Sequence, residues 1–326
     1  MNSKIVILHD KIDENCPLDQ LDTLTQVEQV EKALVQLKYC VEKISFDGNL
    51  QELETLLKNE QPILLFNLVE TYYKGRFLHL IPLLCEKLNI KVSGGNSTSL
   101  FLSGDKAFAK KMMEKGSIPT PPYIVSTQTK HLKFFLGKMM IEKPLDEEAS
   151  VGINENSVFQ CSTIDELQAK FVQSKKKNQL LEIYIEGKEV NVSATTKNGV
   201  LEILPIAEMI FTNYPSGKPK IVTYDAKWVE SSFDYINTNR SFAFEKENPI
   251  LAFKIKEIVK RCWDLFECSG YVRFDFRVDD KGNPYLLELN VNPAISEDGG
   301  YIAASLEAGY SYQQTIENIV KEALYE

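Results

Sequence analysis

R-F-D-F-R-V-D-D-K-G-N-P-Y-L-L-E-L-N-V-N, residues 273 to 292, is the stretch whose reading decides the fold. Alternation of period two places Arg273, Asp275 and Arg277 on one face of a strand and Phe274, Phe276 and Val278 on the other. The returning segment puts Leu286, Glu288 and Asn290 on one face and Tyr285, Leu287 and Leu289 on the other. Asp280-Lys281-Gly282-Asn283 is turn chemistry, so the two runs predict an antiparallel hairpin. Centring the turn between Lys281 and Gly282 sets Asp275 opposite Glu288 and Arg273 opposite Asn290. Facing carboxylates destabilise a sheet; at about 4 Å and an effective dielectric of about 20 they repel by roughly 4 kcal/mol. A divalent cation between them removes the objection. Three oxygen donors, Asp275, Glu288 and Asn290, suit Mg²⁺, with Mn²⁺ as the alternative ion, and leave its other positions to water and phosphate. The competing reading pairs Asp275 with Arg273 or Arg277 and leaves Glu288 in solvent on an edge strand. Leu286 on the Glu288 face argues against it, because a strand apolar on one side and partly so on the other is covered on both.

R-x-D followed by E-x-N and then Pro293 resembles the Mg²⁺–ATP hairpin of the ATP-grasp superfamily, and within it the D-alanine–D-alanine ligase branch. The likeness continues through Asn292-Pro293-Ala294, the small residues Ala303, Ala304 and Ser305, and Glu307-Ala308-Gly309-Tyr310-Ser311-Tyr312. Those ligases read N-x-S-P-G and later A-G-x-S-Y in these places. With weaker matches upstream, the likeness covers residues 90 to 326. The fold class it implies is α/β and α+β. An N-terminal doubly wound α/β domain (1–100) precedes a two-part ATP-grasp fold, whose central subdomain (101–181) carries a phosphate lid and whose C-terminal subdomain (182–326) carries the hairpin.

A chain of 326 residues is long enough for two or three packed units. Its 44% hydrophobic and 25% charged content is that of an ordinary globular protein. A net charge of −9, with Lys175-Lys176-Lys177 as the longest basic run, argues against nucleic-acid binding. Six scattered cysteines without a C-x-x-C pair read as reduced thiols, and three histidines leave little room for a His-based site. The apolar run near the N-terminus is too short for a signal peptide, and no run approaches the length of a membrane span. These readings place the chain in the cytoplasm, with no nucleic-acid or membrane partner; the resemblance allows a homodimer.

Residues 1–90 read as alternating strands and helices. Strand Ile5–Leu8 leads to an amphipathic helix near Asp22–Lys38, with Leu24, Val27, Val30, Ala33, Leu34 and Leu37 at helical spacing. Strand Tyr39–Ser45, helix Leu50–Asn59, strand Ile63–Phe66, helix Phe77–Leu88 and strand Ile90–Val92 complete a doubly wound pattern. His9-Asp10-Lys11 stands where a dinucleotide-binding domain carries G-x-G-x-x-G. Ligands in such folds sit beyond the carboxyl ends of strands. His9, Asp10, Asp13, Glu14, Asn67 and Glu70 are therefore candidate substrate contacts, with Glu70, a charge closing a buried strand, as first choice. Further on come a helix from Ser103 to Lys115, strands Tyr123–Ser126, Lys138–Lys143, Val158–Gln160 and Leu180–Ile185, and a helix Asp165–Gln173. A hairpin, Glu189–Thr196 with Val200–Pro205, turns at Asn198-Gly199, and helices Ile250–Phe266 and Tyr312–Leu324 follow.

ATP needs cations on its phosphates, an apolar slot with a hydrogen-bonding edge, and a carboxylate for its ribose. Lys106 and Lys143 are the candidate cations; Lys143 ends an apolar strand just before Pro144, where a lysine has little structural purpose. The resemblance assigns both to the nucleotide phosphates, and Ser150 and Gly152 of the E-E-A-S-V-G run, with Glu147 and Glu148, to a phosphate-covering lid. It assigns Glu182 and the backbone of Ile183 and Ile185 to the adenine edge and Glu189 to the ribose. Lys227 of Tyr224-Asp225-Ala226-Lys227-Trp228 falls to the transferred phosphate. The family lid reads E-G-S-S-x-G, so one Gly and one Ser are missing here. Arg277 stands where the family has an apolar residue against adenine; a stacked guanidinium would take its place.

Together these imply an ATP-dependent, ADP-forming carboxylate–amine ligase (an acid–amino-acid ligase) working through an acyl phosphate. Arg273 would steady the acyl phosphate and the developing oxyanion. Its partners are ATP and a small-molecule carboxylate and amine. D-alanine–D-alanine ligases orient the first amino group with a Gly-Gly-x-Ser-x-Glu loop, which His9 to Cys16 does not match. They hold the second carboxylate with a Ser of an S-x-x-x-P-x-x-A segment, where this chain has Glu297, Asp298, Gly299 and Gly300. Carboxylates in that place disfavour an anionic acceptor. The expected substrates are therefore an amino acid, peptide or amine other than D-alanine. D-alanine–D-alanine ligase itself and a nucleotide-binding pseudoenzyme are the alternatives. The joint presence of Lys143, Arg273, Asp275, Glu288 and Asn290 speaks against the second.

Overall fold

Four short strands form a parallel sheet at the N-terminus, β1 (Lys4–Asp10), β2 (Cys40–Phe46), β3 (Leu64–Leu68) and β4 (Lys91–Val92), in the order β2-β1-β3-β4, with the apolar β1 and β3 at its centre. The computed structural model describes residues 4–13, 16–73, 75–145 and 150–325. Strands apolar on both sides need cover on both. Val6, Leu8 and Leu65 pack under the helices Leu50–Glu60 and Leu80–Leu88. Ile5, Ile7, Leu64 and Phe66 pack under the helix Leu18–Gln36 and the last helix of the chain, Tyr312–Tyr325. The buried stripe of Leu18–Gln36 runs through Thr23, Gln26, Val27, Val30, Ala33 and Leu34. Leu24, expected on it, is 40% exposed, because the helical step from Thr23 turns it off the core face.

A three-stranded antiparallel sheet follows, ordered β6-β5-β7, from β5 (Met139–Pro144), β6 (Val158–Gln160) and β7 (Gln179–Ile183). The helix Ile164–Lys176 covers it through Leu167. Thr163 and Glu166 start that helix with reciprocal side-chain caps. The expected strand Tyr123–Ser126 is reduced to one bridge, Tyr123 to Glu182. Pro121 and Pro122 bring no amide donors, and the Val125 N–H goes to His131 Nε2 at 3.3 Å.

The largest sheet has six strands: β8 (Lys188–Lys197), β9 (Val200–Ile203), β10 (Ala207–Phe211), β11 (Thr238–Ser241), β12 (Tyr271–Val278) and β13 (Pro284–Val291). Its order is β11-β10-β8-β12-β13, with β9 also on β8. Asn198 (φ 52°) and Gly199 (φ 72°) make the left-handed two-residue turn from β8 to β9. Val190, Val192, Phe274 and Phe276 form a core with Ile255 and Val259 of the helix Pro249–Leu265 and with Ala109 and Met113 of the helix Lys106–Lys115.

The hairpin β12–β13 has the register read from its sequence, Arg273 opposite Asn290 and Asp275 opposite Glu288. A β-bulge then intervenes: Phe276 pairs with Leu286, and Leu287 is the extra residue. One inserted residue reverses the alternation beyond it. Leu286, expected on the Glu288 face, is fully buried in the core with Phe276, and its N–H donates to the Pro119 carbonyl at 2.8 Å. Leu287 takes the place expected of Leu286 and faces the cavity described next. The strand is covered on both sides, but by the other leucine.

Candidate active site

A cavity of about 1080 Å³ opens between the hairpin, the three-stranded sheet and the helix Leu18–Gln36. Arg273, Asp275, Glu288 and Asn290 line it from the hairpin, and Lys143 from the end of β5. Glu182, Ile183, Ile185 and Glu189 line it along the run from β7 into β8. Ser150, Gly152 and Lys227 also line it, as do Glu70, Asp298 and Gly299. Of the residues expected at the nucleotide, metal and acceptor, Lys106 and Glu297 do not line it. Lys106 reaches the site at one remove, its ammonium 3.3 Å from Glu288 Oε2. Glu297 is exposed, with its N–H given to Gln29 Oε1 at 2.9 Å.

Asp275 is 9% exposed and accepts four hydrogen bonds. Arg273 gives two, Nε to Oδ1 at 2.8 Å and Nη2 to Oδ2 at 2.9 Å. Asn191 Nδ2 gives a third at 2.6 Å and Asn290 Nδ2 a fourth at 2.9 Å. The carboxylate's lone pairs are thereby filled. The pairing of Asp275 with Arg273, weighed as the competitor to a metal, is thus present in the structure; a pairing with Arg277 is not. Glu288 does not stand in open solvent either. Burial opposes its charge, but Lys106, Lys143, Lys227 and Arg273 outweigh burial and hold its carboxyl down at about 2.

Among the described residues, no three His, Cys, Asp or Glu side chains gather into a ready-made metal site. Asp275, Glu288 and Asn290 nevertheless fit a hard cation that keeps water and phosphate in its shell. Glu288 stays ionised well into acid, and Asn290, with its amide nitrogen on Asp275, turns its oxygen the other way.

Around Glu182 lies a buried triad that the sequence did not announce. Glu182 is fully buried, with Oε1 2.5 Å from Lys143 Nζ and Oε2 2.6 Å from Lys110 Nζ. Its carboxylate is turned onto the two lysines and not onto a nucleotide edge, because buried ammonium groups need a counter-charge. Lys110 is 1% exposed and also donates to Thr120 Oγ1 at 2.7 Å; burial pulls its pKa down. Burial opposes the charge of Lys143 too, but Glu182 and Glu288 raise its pKa overall.

Glu189 is half-buried; desolvation pushes its carboxyl up, while Arg277 Nη1 at 3.1 Å pulls it down. Arg277 is itself 3% exposed. It donates to the carbonyls of Ile185 (2.9 Å) and Lys220 (2.7 Å) and stacks 5.2 Å from the Tyr184 ring centroid. Its guanidinium is committed to this loop, and Leu287 is the apolar side chain that β13 offers the cavity.

Residues 146–149 of the expected lid, with Glu147 and Glu148, lie outside the described residues, as does Glu14. Ser150 (φ 62°) and Gly152 (φ 74°) are both left-handed. Ser150 Oγ donates to the Val222 carbonyl at 2.9 Å, and the Tyr224 N–H to the Ile153 carbonyl at 3.1 Å. The lid end therefore docks on the segment carrying Lys227, which is a short helix, Tyr224–Trp228, capped by Thr223. Burial and the charge of Arg273 lower the Lys227 pKa, against Asp275 and Glu288. Tyr224 donates its hydroxyl to Asp19 Oδ1 at 2.8 Å, tying this helix to Leu18–Gln36.

Among the described N-terminal candidates only Glu70 lines the cavity. Asp10 Oδ2 accepts from the N–H groups of Glu70 (2.7 Å) and Thr71 (3.0 Å), and Asn67 Oδ1 from that of Val69 (3.2 Å). These two shape the turn that presents Glu70, since β3 runs to Leu68, past its expected end. Gln26, 1% exposed, donates to Glu70 and Asp22, each at 3.1 Å, and accepts from the Ile295 N–H at 2.9 Å. Asp22 and Arg240 also line the cavity. Neither was foreseen: Gln26 in a buried stripe was the one available signal for the first, and β11, four residues without alternation, gave none for the second.

A family model described as D-ala D-ala ligase C-terminus matches residues 114–321. The chain belongs to that family. As a D-ala D-ala ligase family member it is an ATP-grasp ligase. It is 26% identical over 261 residues to the uncharacterized protein y4sG of Sinorhizobium fredii, covering 80% of this chain and 74% of that protein. It is 23% identical over 245 residues to the D-alanine–D-alanine ligase of Francisella tularensis subsp. novicida, covering 74% of each. The structure of D-alanine–D-alanine ligase from Bacillus anthracis complexed with ATP matches with a TM-score of 0.73 at 19% identity, over 99% of this chain and 97% of that one. D-alanyl-alanine synthetase A from Vibrio cholerae matches with a TM-score of 0.73 at 16% identity, over the whole of both chains. The mixed architecture, parallel sheet first and antiparallel sheets after it, is theirs. Among the described residues no helix is long and apolar enough to cross a membrane.

Proposed function

We propose that this protein joins a carboxylate to an amine through an acyl phosphate, with ATP converted to ADP, and that its substrates are an amino acid, peptide or amine other than D-alanine. The observation that carries the ligase reading is the convergence in one cavity of Lys143, Lys227 and Arg273 on Asp275, Glu288 and Asn290. The carboxylate oxygen attacks the γ-phosphorus of ATP, giving acyl phosphate and ADP. The amine then adds to the acyl carbon, and phosphate departs from the tetrahedral intermediate. Neither step needs a side-chain nucleophile, so the chain works by placement and charge. Asp275, Glu288 and Asn290 would hold Mg²⁺ or Mn²⁺, which supplies charge neutralisation at the phosphate oxygens. Lys143 binds phosphate directly; Lys106 acts by pairing with Glu288. Arg273 and Lys227 steady the acyl phosphate and the oxyanion. Glu189 takes the ribose hydroxyls. The Ile183 carbonyl and the Ile185 N–H read the adenine edge, and Leu287 packs on the ring. Ser150 and Gly152 close over the phosphates.

The substrate reading is supported by the acidic character of the acceptor end. Asp298 lines it, and burial together with the charge of Asp298 raises the pKa of Asp22. Two carboxylates in that position favour a cationic acceptor, an amine or a basic amino acid. D-alanine–D-alanine ligase itself is the second reading, supported by the names of relatives at 23% identity.

ADP release screened over paired amino acids and amines, with mass detection of the product, tests both parts. An amide formed with a cationic acceptor is expected. Nucleotide binding without ADP release across the whole set overturns the ligase reading. D-alanyl-D-alanine as the best product overturns the substrate reading.

A further inference from the structure

We infer that Arg240 is a specificity-determining residue that anchors the carboxylate of the acceptor, so that the acceptor is an amino acid and not a simple amine. The inference deepens the ligase reading and rests on it. Arg240 stands on the edge strand β11, opposite Met209 of β10, and its side chain lines the cavity. Arg240 is exposed to the solvent that fills the cavity; desolvation by the cavity wall and the charge of Arg273 lower its pKa, and the charge of Asp298 opposes them. Among the described residues its guanidinium has no hydrogen bond or ion pair within contact range. Its donors are therefore open to a ligand in the cavity.

Gly300 marks where such a ligand would sit. A β-carbon on Gly300 would stand 3.7 Å from Arg240 Nη2 and 4.0 Å from Arg273 Nη1. Two guanidiniums thus flank the first residue of the helix Gly300–Glu307, whose N-cap, Gly299, supplies no side-chain cap. Arg273 already gives Nε and Nη2 to Asp275, which leaves Arg240 as the fork with open donors. Planar forks and first-turn amides suit a carboxylate. A simple amine would instead add a cation beside two cations. In an α-amino acid the carboxylate lies one carbon from the attacking nitrogen. An anchor next to Arg273 therefore holds that nitrogen near the acyl group that Arg273 serves. Asp298 is then left to face the acceptor's side chain.

The test titrates lysine and ornithine, each as both enantiomers, and their decarboxylated diamines, cadaverine and putrescine. The full chain is loaded with a non-hydrolysable ATP analogue and Mg²⁺, as wild type, Arg240→Gln and Arg240→Lys. Wild type is expected to bind one of the amino acids at least about tenfold more tightly than its diamine, and Arg240→Gln to bring the pair within about twofold by weakening the amino acid alone. Arg240→Lys, which keeps the charge without the fork, should recover part of the preference. Thermal midpoint and nucleotide affinity should stay constant in both variants. Equal affinities in wild type, an unchanged ratio in Arg240→Gln, or no binding of any of the amino acids overturns the inference. Amino-acid binding here, with no ADP release from ATP itself in the paired screen above, would overturn the ligase reading and leave the role of Arg240 standing.

Discussion

Arg273 clasps Asp275 within one strand, two residues apart, with bonds of 2.8 and 2.9 Å. A metal held by Asp275 would compete with this pair for the same carboxylate, since Asn191 and Asn290 fill the rest of it. A cation on Asp275 would displace part of this clasp and leave the guanidinium of Arg273 available to negative charge in the cavity. Arg273→Met is therefore expected to bind Mn²⁺ as tightly as wild type or more so in the presence of ADP, while turnover falls by about a hundredfold or more. Electron paramagnetic resonance titration of Mn²⁺ checks the first part. Weakened Mn²⁺ binding would mean that Arg273 supports the metal and does not compete with it.

Glu288→Gln is expected to lose turnover by about a hundredfold or more at saturating Mg²⁺, with much of the nucleotide affinity kept. Near wild-type ADP release would remove Glu288 from the metal site. The same variant has a pH signature. The folded carboxyl sits at about 2 against an ordinary 4.5, so its stabilisation is fully present above 4.5 and is lost as the pH falls toward 2. The difference in thermal midpoint between wild type and Glu288→Gln should be largest above pH 4.5 and shrink below it. A difference independent of pH would contradict the cation cage around Glu288.

How much of this site was legible depends on what each residue shows in a sequence. The Asp275–Glu288 register was, because alternation and turn chemistry fix a hairpin on their own. The bulge was not, since an extra leucine in L-L-E-L changes neither composition nor turn. Lys110 in the helix Lys106–Lys115 reads like any surface lysine until Glu182 is seen beneath it. Gln26 tied two distant segments together from within a stripe that looked apolar, and Arg240 sat on a strand too short to announce itself.

The bulge makes a sharp contrast between adjacent leucines. Leu286→Ala should destabilise the fold by about 2–5 kcal/mol, as a core cavity does, with little change in the affinity of the folded protein for ATP. Leu287→Ala should leave the denaturation midpoint nearly unchanged and weaken ATP. Chemical denaturation and calorimetry on both variants separate the faces; the opposite pattern would restore the unbulged alternation.

The buried triad separates binding from folding in the same way. Lys143→Ala leaves Glu182 paired with Lys110, so the fold should hold while ATP affinity drops by roughly 1.5–3 kcal/mol, the worth of a charge-assisted hydrogen bond. Glu182→Gln strands Lys110 without a counter-charge and should cost about 3–5 kcal/mol of stability. Calorimetry for the first and urea unfolding for the second give the comparison. Unchanged ATP affinity in Lys143→Ala would return that lysine to a purely structural role.

Glu297 and Asp298 are neighbours in sequence but only Asp298 lines the cavity. If the acceptor is chosen by charge there, the two cannot be equivalent. Asp298→Asn should relax the preference for a cationic acceptor over D-alanine by a modest factor, because a partly exposed charge is worth about 1 kcal/mol or less. Glu297→Gln should leave that preference as it is, since the Glu297 N–H bond to Gln29 is a backbone contact that the substitution keeps. The measurement is kcat/KM for each acceptor with both variants. Equal shifts would point to a long-range field and not to contact. No shift in Asp298→Asn would remove that carboxylate from the acceptor site.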